Sequence, residues 1–149
     1  MKKQKLSLAH NFRASDLSTT EKPPVIIMLH GYGSDENDLF SFASELPSKY
    51  TIISLRAPYP MQPYGNAWYA IHFDNVDGKW SDDAQAIASR EKVIICIDEI
   101  VEKYHIDLNN ITLLGFSQGT ILSFSIALSY PGKIKNVIGL SGYINEAII

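Results

Sequence analysis

Short, continuous apolar runs separated by longer amphipathic stretches dominate the hydrophobic pattern of this chain. Four runs rich in β-branched residues stand out, at 25–29, 51–55, 111–114 and 137–140. Each is apolar throughout rather than alternating, which is typical of strands that are buried on both faces of a parallel sheet. The pattern therefore predicts four parallel strands at the centre of the fold.

Helical periodicity lies between these runs. The segment 35–46 has apolar residues three and four apart, with Ser34 or Asp35 as a candidate N-cap and Pro47 as its stop. The segment 82–104 is more strongly periodic, and Ser81 is its candidate cap. Its predicted apolar stripe consists of Ile87, Ile94, Ile97, Val101 and Tyr104.

A third helix is predicted over 117–129, where apolar residues lie nearly all round and indicate burial; Pro131 and Gly132 end it. Strands that alternate with helices predict an α/β fold, with right-handed crossovers and helices on both faces of a mostly parallel sheet.

The stretch 56–80 does not fit this alternation, because it is rich in proline and aromatic residues. Long loops in compact domains are usually functional, and this one leaves the carboxyl end of a strand, where open α/β sheets bind ligands. Trp68 and Tyr69 are therefore candidate substrate-pocket residues. Alternatively, the loop is a packed one, in which these two side chains close off the core.

Gly115-Phe116-Ser117-Gln118-Gly119 matches the pattern G-x-S-x-G between a predicted buried strand and a predicted buried helix. That setting is typical of a nucleophile elbow, in which a serine lies on a sharp turn and the flanking glycines avoid collisions with the neighbouring elements. Ser117 is the candidate nucleophile, and Gly115 and Gly119 complete the elbow. A tight turn with Ser117 as an ordinary N-cap remains the alternative.

A second glycine-containing segment, His30-Gly31-Tyr32-Gly33-Ser34, follows the first predicted strand at the same edge of the sheet. Acyl transfer to a serine needs N–H donors for the oxyanion, and this architecture takes them from the residue after the nucleophile and from such a loop. The backbone amides of Tyr32 and Gln118 are the candidates. Spacing alone does not distinguish this role from that of a turn and a helix cap.

Composition narrows the class of protein. The chain has 149 residues, of which 46% are hydrophobic and 19% charged, so one domain is expected. A net charge of −3 disfavours a nucleic-acid partner. The amino terminus has no apolar signal core, and no 18-residue apolar run that could cross a membrane occurs, so a cytoplasmic protein is expected.

Five segments occur together in one order: 29–39 (LHGYGSDENDL), 56–60 (RAPYP), 67–69 (AWY), 114–119 (LGFSQG) and 139–143 (GLSGY). In this combination the chain resembles the carboxylesterase, lysophospholipase and acyl-protein thioesterase family of α/β-hydrolases, from about residue 23 to 143. The resemblance implies cofactor-free hydrolysis of a small-molecule or lipid ester or thioester. It also implies Ser117 as the nucleophile, with the amides of Tyr32 and Gln118 as oxyanion donors.

The pattern departs from that family after the elbow. α/β-Hydrolases place an acid and then a histidine after the serine, whereas no histidine or aspartate follows Ser117, and Glu146 is the only acid there. Residues 1–149 are thus predicted to be a single, C-terminally truncated α/β-hydrolase domain without its triad acid and base. Such a chain is expected to be a poor catalyst alone, because a serine without a base is a weak nucleophile.

The remaining candidates for chemistry are weak. His105 precedes a strand and so lies at the wrong edge of the sheet, and His10 has no placement toward the site. His30 adjoins the oxyanion loop, where a structural role is expected, and His72 lies in a loop, where histidines are mostly solvated. Cys96 lies among isoleucines of a helix, which indicates buried packing.

Two interpretations follow. The favoured one is the nucleophile-bearing part of a serine esterase or thioesterase; the alternative is a non-catalytic binding domain completed by another chain. In both, the apolar strand 137–140 is left at a sheet edge that invites pairing, including homo-oligomerisation. The length of the acyl chain and the choice between ester and thioester are not determined by the sequence.

Overall fold

The computed structural model describes residues 1–76 and 78–149. Two segments of 3₁₀-helix, Leu39–Glu45 and Glu146–Ile148, accompany the regular elements. The strands are β1 (His10–Arg13), β2 (Val25–Leu29), β3 (Thr51–Leu55), β4 (Tyr59–Pro60), β5 (Asn66–Ala67), β6 (Ile71–Asp74), β7 (Gly78–Ser81), β8 (Ile111–Phe116) and β9 (Asn136–Leu140), and the α-helices are α1 (Asp83–Lys103) and α2 (Gln118–Ser129).

The central sheet has the strand order β1-β3-β2-β8-β9. The four predicted strands β2, β3, β8 and β9 are parallel, which confirms the expected core. β1 joins the edge in the antiparallel direction, and no apolar run predicted it, because its side chains are mostly half-buried. Leu29 lies opposite both Leu55 and Gly115, so β2, β3 and β8 end at one edge of the sheet.

Helical segments cover both faces of the sheet, as predicted for this fold class. Successive strand residues point to opposite faces, so Ile27 packs in the cluster with α1 and α2, whereas Ile26 and Met28 pack against the segment Leu39–Glu45. The mostly parallel sheet with flanking helices is therefore confirmed. The two α-helices of the described residues share one cluster, with the 3₁₀ segment on the opposite face.

The prediction of a helix over 35–46 is wrong in type and extent. This region forms only the 3₁₀ segment from Leu39 to Glu45, preceded by Asp38 at the cap position. The side chain of Asp35 accepts a hydrogen bond from the Asn37 amide at 2.8 Å, and Ser34 Oγ donates to Asp38 Oδ2 at 2.9 Å. Such local bonds from short polar side chains compete with helical backbone bonding.

Helix α1 is present, but its predicted cap and stripe need correction. Asp82, not Ser81, is the N-cap and accepts a hydrogen bond from the Gln85 amide at 2.9 Å, since Ser81 ends strand β7. Ile87 is 37% exposed. The other stripe residues are buried or half-buried, with Ile94, Ile97 and Tyr104 buried as predicted. The buried face of α1 also includes Ala86, Ser89, Val93, Cys96 and Ile100.

Helix α2 begins directly after Ser117 and is buried over most of its length, as its apolar pattern predicts. Leu128, near its end, is 48% exposed. Neither this helix nor any other in the described residues is long and apolar enough to cross a membrane.

The long aromatic stretch is more ordered than the sequence suggests. It contains the hairpins β4–β5 and β6–β7, and residue Asn66 bridges to Ser34 in the loop after β2. The stretch is thereby tied to the carboxyl edge of the central sheet.

Strand β9 is the outer strand of the sheet, at the edge where the sequence predicted an exposed apolar strand. Ile138 and Leu140 are 44% and 47% exposed. Tyr143 and Ile144, which follow β9, are also exposed. This apolar surface around β9 lies next to the residues that follow β8.

Candidate active site

Ser117 lies on the turn between β8 and α2 with φ +52° and ψ −115°, a region that non-glycine residues rarely occupy. Its amide donates to the Leu140 carbonyl at 2.8 Å, and its carbonyl accepts from the Thr120 amide at 2.9 Å. These bonds hold the strained backbone in place. The side chain is half-buried, and its hydroxyl has no hydrogen-bond partner among the described residues.

The glycines that flank the elbow are required by close packing. A Cβ at position 119 would lie 1.9 Å from the Leu29 carbonyl oxygen, and one at 115 would lie 2.6 Å from the Gly119 carbonyl. Real Cβ atoms do not approach so closely, so neither position accepts a side chain without movement of the backbone. The strand β2, the turn and helix α2 meet here because both glycines are present.

The loop that follows β2 lies against this turn. A Cβ at Gly31 would lie 3.1 Å from the Phe116 ring and 3.5 Å from the Phe116 carbonyl oxygen. Tyr32 follows in that loop, and Gln118 is the first residue of α2. Among the described residues neither amide has a hydrogen-bond acceptor, so both remain candidate donors to an oxyanion.

The side chain of Gln118 has a role that the sequence did not predict. It is 3% exposed, and its Oε1 accepts from the Trp68 amide while its Nε2 donates to the Tyr69 carbonyl, both at 2.8 Å. A buried carboxamide with both ends bonded is held firmly. The sequence signal that could have indicated this role is the polar amide side chain of Gln118 at the start of an otherwise apolar helix.

The prediction that Trp68 and Tyr69 line a substrate pocket is not supported. Their residues are 0% and 2% exposed, and both belong to the main hydrophobic cluster. Burial raises the pKa of the Tyr69 phenol well above its ordinary value. The alternative, in which these side chains close off the core, describes them correctly, because apolar rings gain more from burial beside α1 and β8 than from exposure in a cleft.

His30 is a structural residue, as expected. It is fully buried, its Nε2 accepts from the Ala57 amide at 3.0 Å, and its Nδ1 therefore carries the hydrogen bonded to the Gly31 carbonyl at 2.8 Å. Burial lowers the pKa of the imidazole and keeps it neutral. With both nitrogens occupied, His30 joins two loops and is not free to accept a proton from Ser117.

The other histidines are engaged away from the serine hydroxyl. His72 Nε2 lies 3.8 Å from Asp82 Oδ2, and its ring packs on Trp80 at 4.2 Å between centroids. His10 Nε2 bonds the Tyr104 hydroxyl at 2.8 Å, and the exposed His105 follows α1 at the opposite edge of the sheet. No histidine in the described residues hydrogen-bonds to Ser117.

Cys96 is fully buried in α1, as the sequence predicted. Burial raises the pKa of its thiol to about 11. Because a thiol reacts as the thiolate, this residue is a packing side chain and not a second nucleophile.

A strained serine between a buried strand and a buried helix, on a mostly parallel sheet, defines the α/β-hydrolase class. A sequence profile of the phospholipase/carboxylesterase family matches residues 16–148. The chain belongs to this family.

Individual relatives agree. Acyl-protein thioesterase 1 of Cryptococcus neoformans is 30% identical over 131 residues, which cover 80% of this chain and 54% of the relative. Feruloyl esterase B of Thermothelomyces thermophilus is 29% identical over 110 residues, covering 73% of this chain and 35% of that enzyme. The chain thus spans about half the length of the thioesterase and about a third of the feruloyl esterase.

Solved structures show the same fold. The Bacillus cereus carboxylesterase superposes with a TM-score of 0.78 at 22% identity, covering 93% of this chain and 61% of that one. The Zea mays acyl-protein thioesterase 2 superposes with a TM-score of 0.68 at 19% identity, covering 91% and 62%. The confirmed fold class is therefore that of esterases and thioesterases.

Proposed function

We propose that this chain is the nucleophile-bearing part of a serine hydrolase that cleaves carboxylic esters or thioesters through an acyl-enzyme on Ser117. The observation that carries the proposal is the strained backbone of Ser117, whose hydroxyl is unbonded in the described residues. The amides of Tyr32 and Gln118, which also have no acceptor among those residues, are the proposed oxyanion donors. Membership of a family of esterases and thioesterases supports it.

The proposed chemistry has two steps. Ser117 Oγ attacks the carbonyl carbon, the carbonyl oxygen becomes negative, and the amides of Tyr32 and Gln118 donate hydrogen bonds to it. The C–O or C–S bond then breaks, and the alcohol or thiol leaves with a proton. Water attacks the acyl-enzyme in the second step, which releases the acid and restores Ser117. No cofactor is needed for either step.

Each step needs a proton acceptor. No histidine or aspartate follows Ser117, and Glu146, the only later acid, is exposed. We therefore propose that residues 1–149 alone are a poor catalyst and that efficient turnover needs an acid and a base beyond those of this stretch. Removing a triad member from serine proteases leaves roughly 10³ to 10⁴-fold catalysis over water, which sets the scale expected here.

The proposed substrates are small-molecule or lipid esters and thioesters. The names of the relatives, an acyl-protein thioesterase and a feruloyl esterase, support an ester or thioester substrate. The exposed apolar residues beside the elbow, Phe116, Leu140 and Tyr143, favour an uncharged acyl chain over a charged substrate.

A fluorophosphonate probe tests the nucleophile directly. We expect slow covalent labelling of the 149-residue chain and none in Ser117→Ala, measured by intact mass. Ser44→Ala, at an exposed serine of the 3₁₀ segment on the far face of the sheet, is the matched control and should label like the wild type. Labelling that persists in Ser117→Ala would refute the assignment.

Imidazole supplied in solution tests the missing base. Added imidazole should accelerate p-nitrophenyl acetate hydrolysis by the wild type beyond its effect in Ser117→Ala, since only the former has a hydroxyl to deprotonate. Subtracting the rate measured with Ser117→Ala from that of the wild type corrects for the direct reaction of imidazole with the ester.

A second candidate function is a non-catalytic binding domain completed by another chain. The lack of a histidine or an aspartate after Ser117 favours it. A folded chain that neither labels nor responds to imidazole would support this second function against the first.

A further inference from the structure

The two candidate donor amides belong to separate parts of the chain, a loop after β2 and the start of α2. One short segment, residues 65–69, hydrogen-bonds both to the loop after β2 and to the first residue of α2, and we call it the bridging segment. Its Asn66 carbonyl accepts from the Gly33 amide at 2.9 Å, and its Asn66 amide donates to the Ser34 carbonyl at 2.8 Å. These two bonds flank Tyr32 on its carboxyl side.

Gly65 lets the bridging segment approach this loop. Its φ is +85°, and a Cβ there would lie 2.0 Å from the Gly33 carbonyl oxygen. Backbone therefore lies directly on backbone at this contact, and a side chain at position 65 would separate the two strands of chain.

Trp68 bonds the same loop on the amino side of Tyr32. Its indole Nε1 donates to the His30 carbonyl at 2.8 Å, and its ring lies 5.4 Å from the His30 ring. Tyr32 is thus held between a bond to His30 and bonds to Gly33 and Ser34, all three made by the bridging segment.

The other end of the bridging segment holds Gln118. The Trp68 amide and the Tyr69 carbonyl bond opposite ends of the Gln118 carboxamide, at 2.8 Å each. Ser89 Oγ of α1 also donates to the Trp68 carbonyl, which fixes the segment from behind. All of these side chains are buried, so water does not compete for the bonds.

We propose that the bridging segment sets the distance between the Tyr32 and Gln118 amides, and that the Trp68 indole and the Gln118 carboxamide are its positioning groups. Gln118 thereby has two roles, an amide that faces the reacting oxygen and a side chain that fixes this amide. The inference rests on the proposed function for what the amides bind, whereas their fixed relation is a property of the fold itself.

The reason for such a device is physical. Oxyanion donors stabilise a transition state because they are already in place, and one donor changes rates by about 10² to 10³. A misplacement of about 1 Å can cost a factor of about 10². Donors that come from two independent elements need a common support.

Backbone ¹⁵N relaxation of the 149-residue chain tests the inference without any need for hydrolysis. In the wild type the Tyr32 and Gln118 amides should have order parameters near 0.85, the value of rigid backbone. In Gln118→Met, which keeps the length of the side chain but removes both bonds, the Gln118 amide should fall below about 0.6.

The chain offers a matched control. Gln85 of α1 also bonds this stretch, because its Oε1 accepts from the Ala70 amide at 2.8 Å. Within residues 1–76 and 78–149, its side chain makes no hydrogen bond to the elbow. Gln85→Met should leave the order parameters of Tyr32 and Gln118 unchanged. Equal effects of the two substitutions, or none from Gln118→Met, would overturn the inference.

Trp68→Phe is the second variant and keeps the proposal testable if Gln118→Met does not fold. Of the hydrogen bonds made by Trp68 it removes only the one from the indole to His30, and it also puts a smaller ring into the core. The order parameter of Tyr32 should therefore fall more than that of Gln118. An unchanged Tyr32 amide in folded Trp68→Phe would contradict the role of the indole.

Fluorophosphonate labelling separates this inference from the proposed function. Labelling at least tenfold slower in Gln118→Met than in Gln85→Met supports both. If Gln118→Met loses order at these amides but the wild-type chain never labels at Ser117, the positional inference is supported and the proposed function is refuted. Labelling at equal rates in both variants would overturn the positional role in catalysis.

Discussion

At the scale of single residues, packing at the elbow leaves little tolerance. Gly119 lies so close to β2 that its missing Cβ is a steric requirement, since the Leu29 carbonyl oxygen would be 1.9 Å away. Ser117 is held in a rare conformation by bonds to Leu140 and Thr120. Strain at such a position persists only where the surrounding structure enforces it.

Gly119→Ala should therefore destabilise the chain by about 3 kcal/mol, the upper range for overpacking, because backbone must move to admit the methyl group. Gly132→Ala is the comparison. Its φ is +85°, but nothing lies within 4 Å of a Cβ there, so only the ~1 to 2 kcal/mol of left-handed strain is expected. Urea unfolding measures both, and equal losses would show that contact with Leu29 does not matter.

Stability should also fall with acid because of buried imidazoles. Burial lowers the pKa of His30, and burial followed by Lys3 lowers that of His10. Below the ordinary value of about 6.5 the unfolded chain binds protons that the folded chain does not, so the stabilisation is complete above that pH and is lost as the pH falls toward the folded pKa. Urea unfolding at pH 7.5 and 5.5 measures the loss.

His30→Gln should reduce this pH dependence and leave the part due to His10. The Glu36 carboxyl affects stability only at lower pH, because its hydrogen bonds to Arg56 lower its pKa from an ordinary value of 4.5. An unfolding free energy that is the same at pH 7.5 and 5.5 would contradict the buried neutral state of both histidines.

At the scale of elements, side-chain hydrogen bonds decide where helices begin. The apolar spacing over 35–46 fits a helix, yet the Asp35 and Ser34 side chains bond locally and delay the helical turn to Leu39. At α1, two adjacent polar residues were possible caps. Strand β7 takes Ser81, so Asp82 caps the helix.

Asp82→Ala should lower the free energy of unfolding by about 1 kcal/mol through loss of the bond to the Gln85 amide. Ser81→Ala should change it by less than about 0.5 kcal/mol, as expected for a residue outside the cap. Thermal unfolding followed by circular dichroism measures both. A larger loss of unfolding free energy in Ser81→Ala than in Asp82→Ala would show that Ser81, the cap predicted from the sequence, is the N-cap.

At the scale of the whole molecule, the exposed outer strand β9 is the main unpaired feature of the sheet. Its Ile138 and Leu140 are exposed, and natural proteins usually protect such an edge with charge or cover. The strand lies beside the end of β8, which carries the elbow.

We expect the 149-residue chain to self-associate through this edge. Ile138→Lys should shift the molecule toward monomer in sedimentation velocity, because a charge on an edge strand opposes pairing. Ile95→Lys is the control, since Ile95 is 57% exposed on α1, away from β9. A wild-type chain that is monomeric at about 100 μM would contradict the expectation.

The sequence by itself determined the parts of this protein that depend on neighbouring residues. Continuous apolar runs determined β2, β3, β8 and β9, and the order of motifs determined the family. The glycines around Ser117 determined a sharp turn at the elbow, because backbone geometry is a local property. The antiparallel β1 has no such local signal, so its pairing with β3 was missed.

Tertiary structure decided the roles that depend on distant partners. Trp68 and Gln118 are 50 residues apart, and only the folded chain shows that their bond joins the aromatic stretch to the elbow. This bond holds the backbone of Trp68, and the residue is 0% exposed. Residue type and spacing define what a side chain is able to bond, whereas the packed fold determines which partner reaches it and excludes water from the contact.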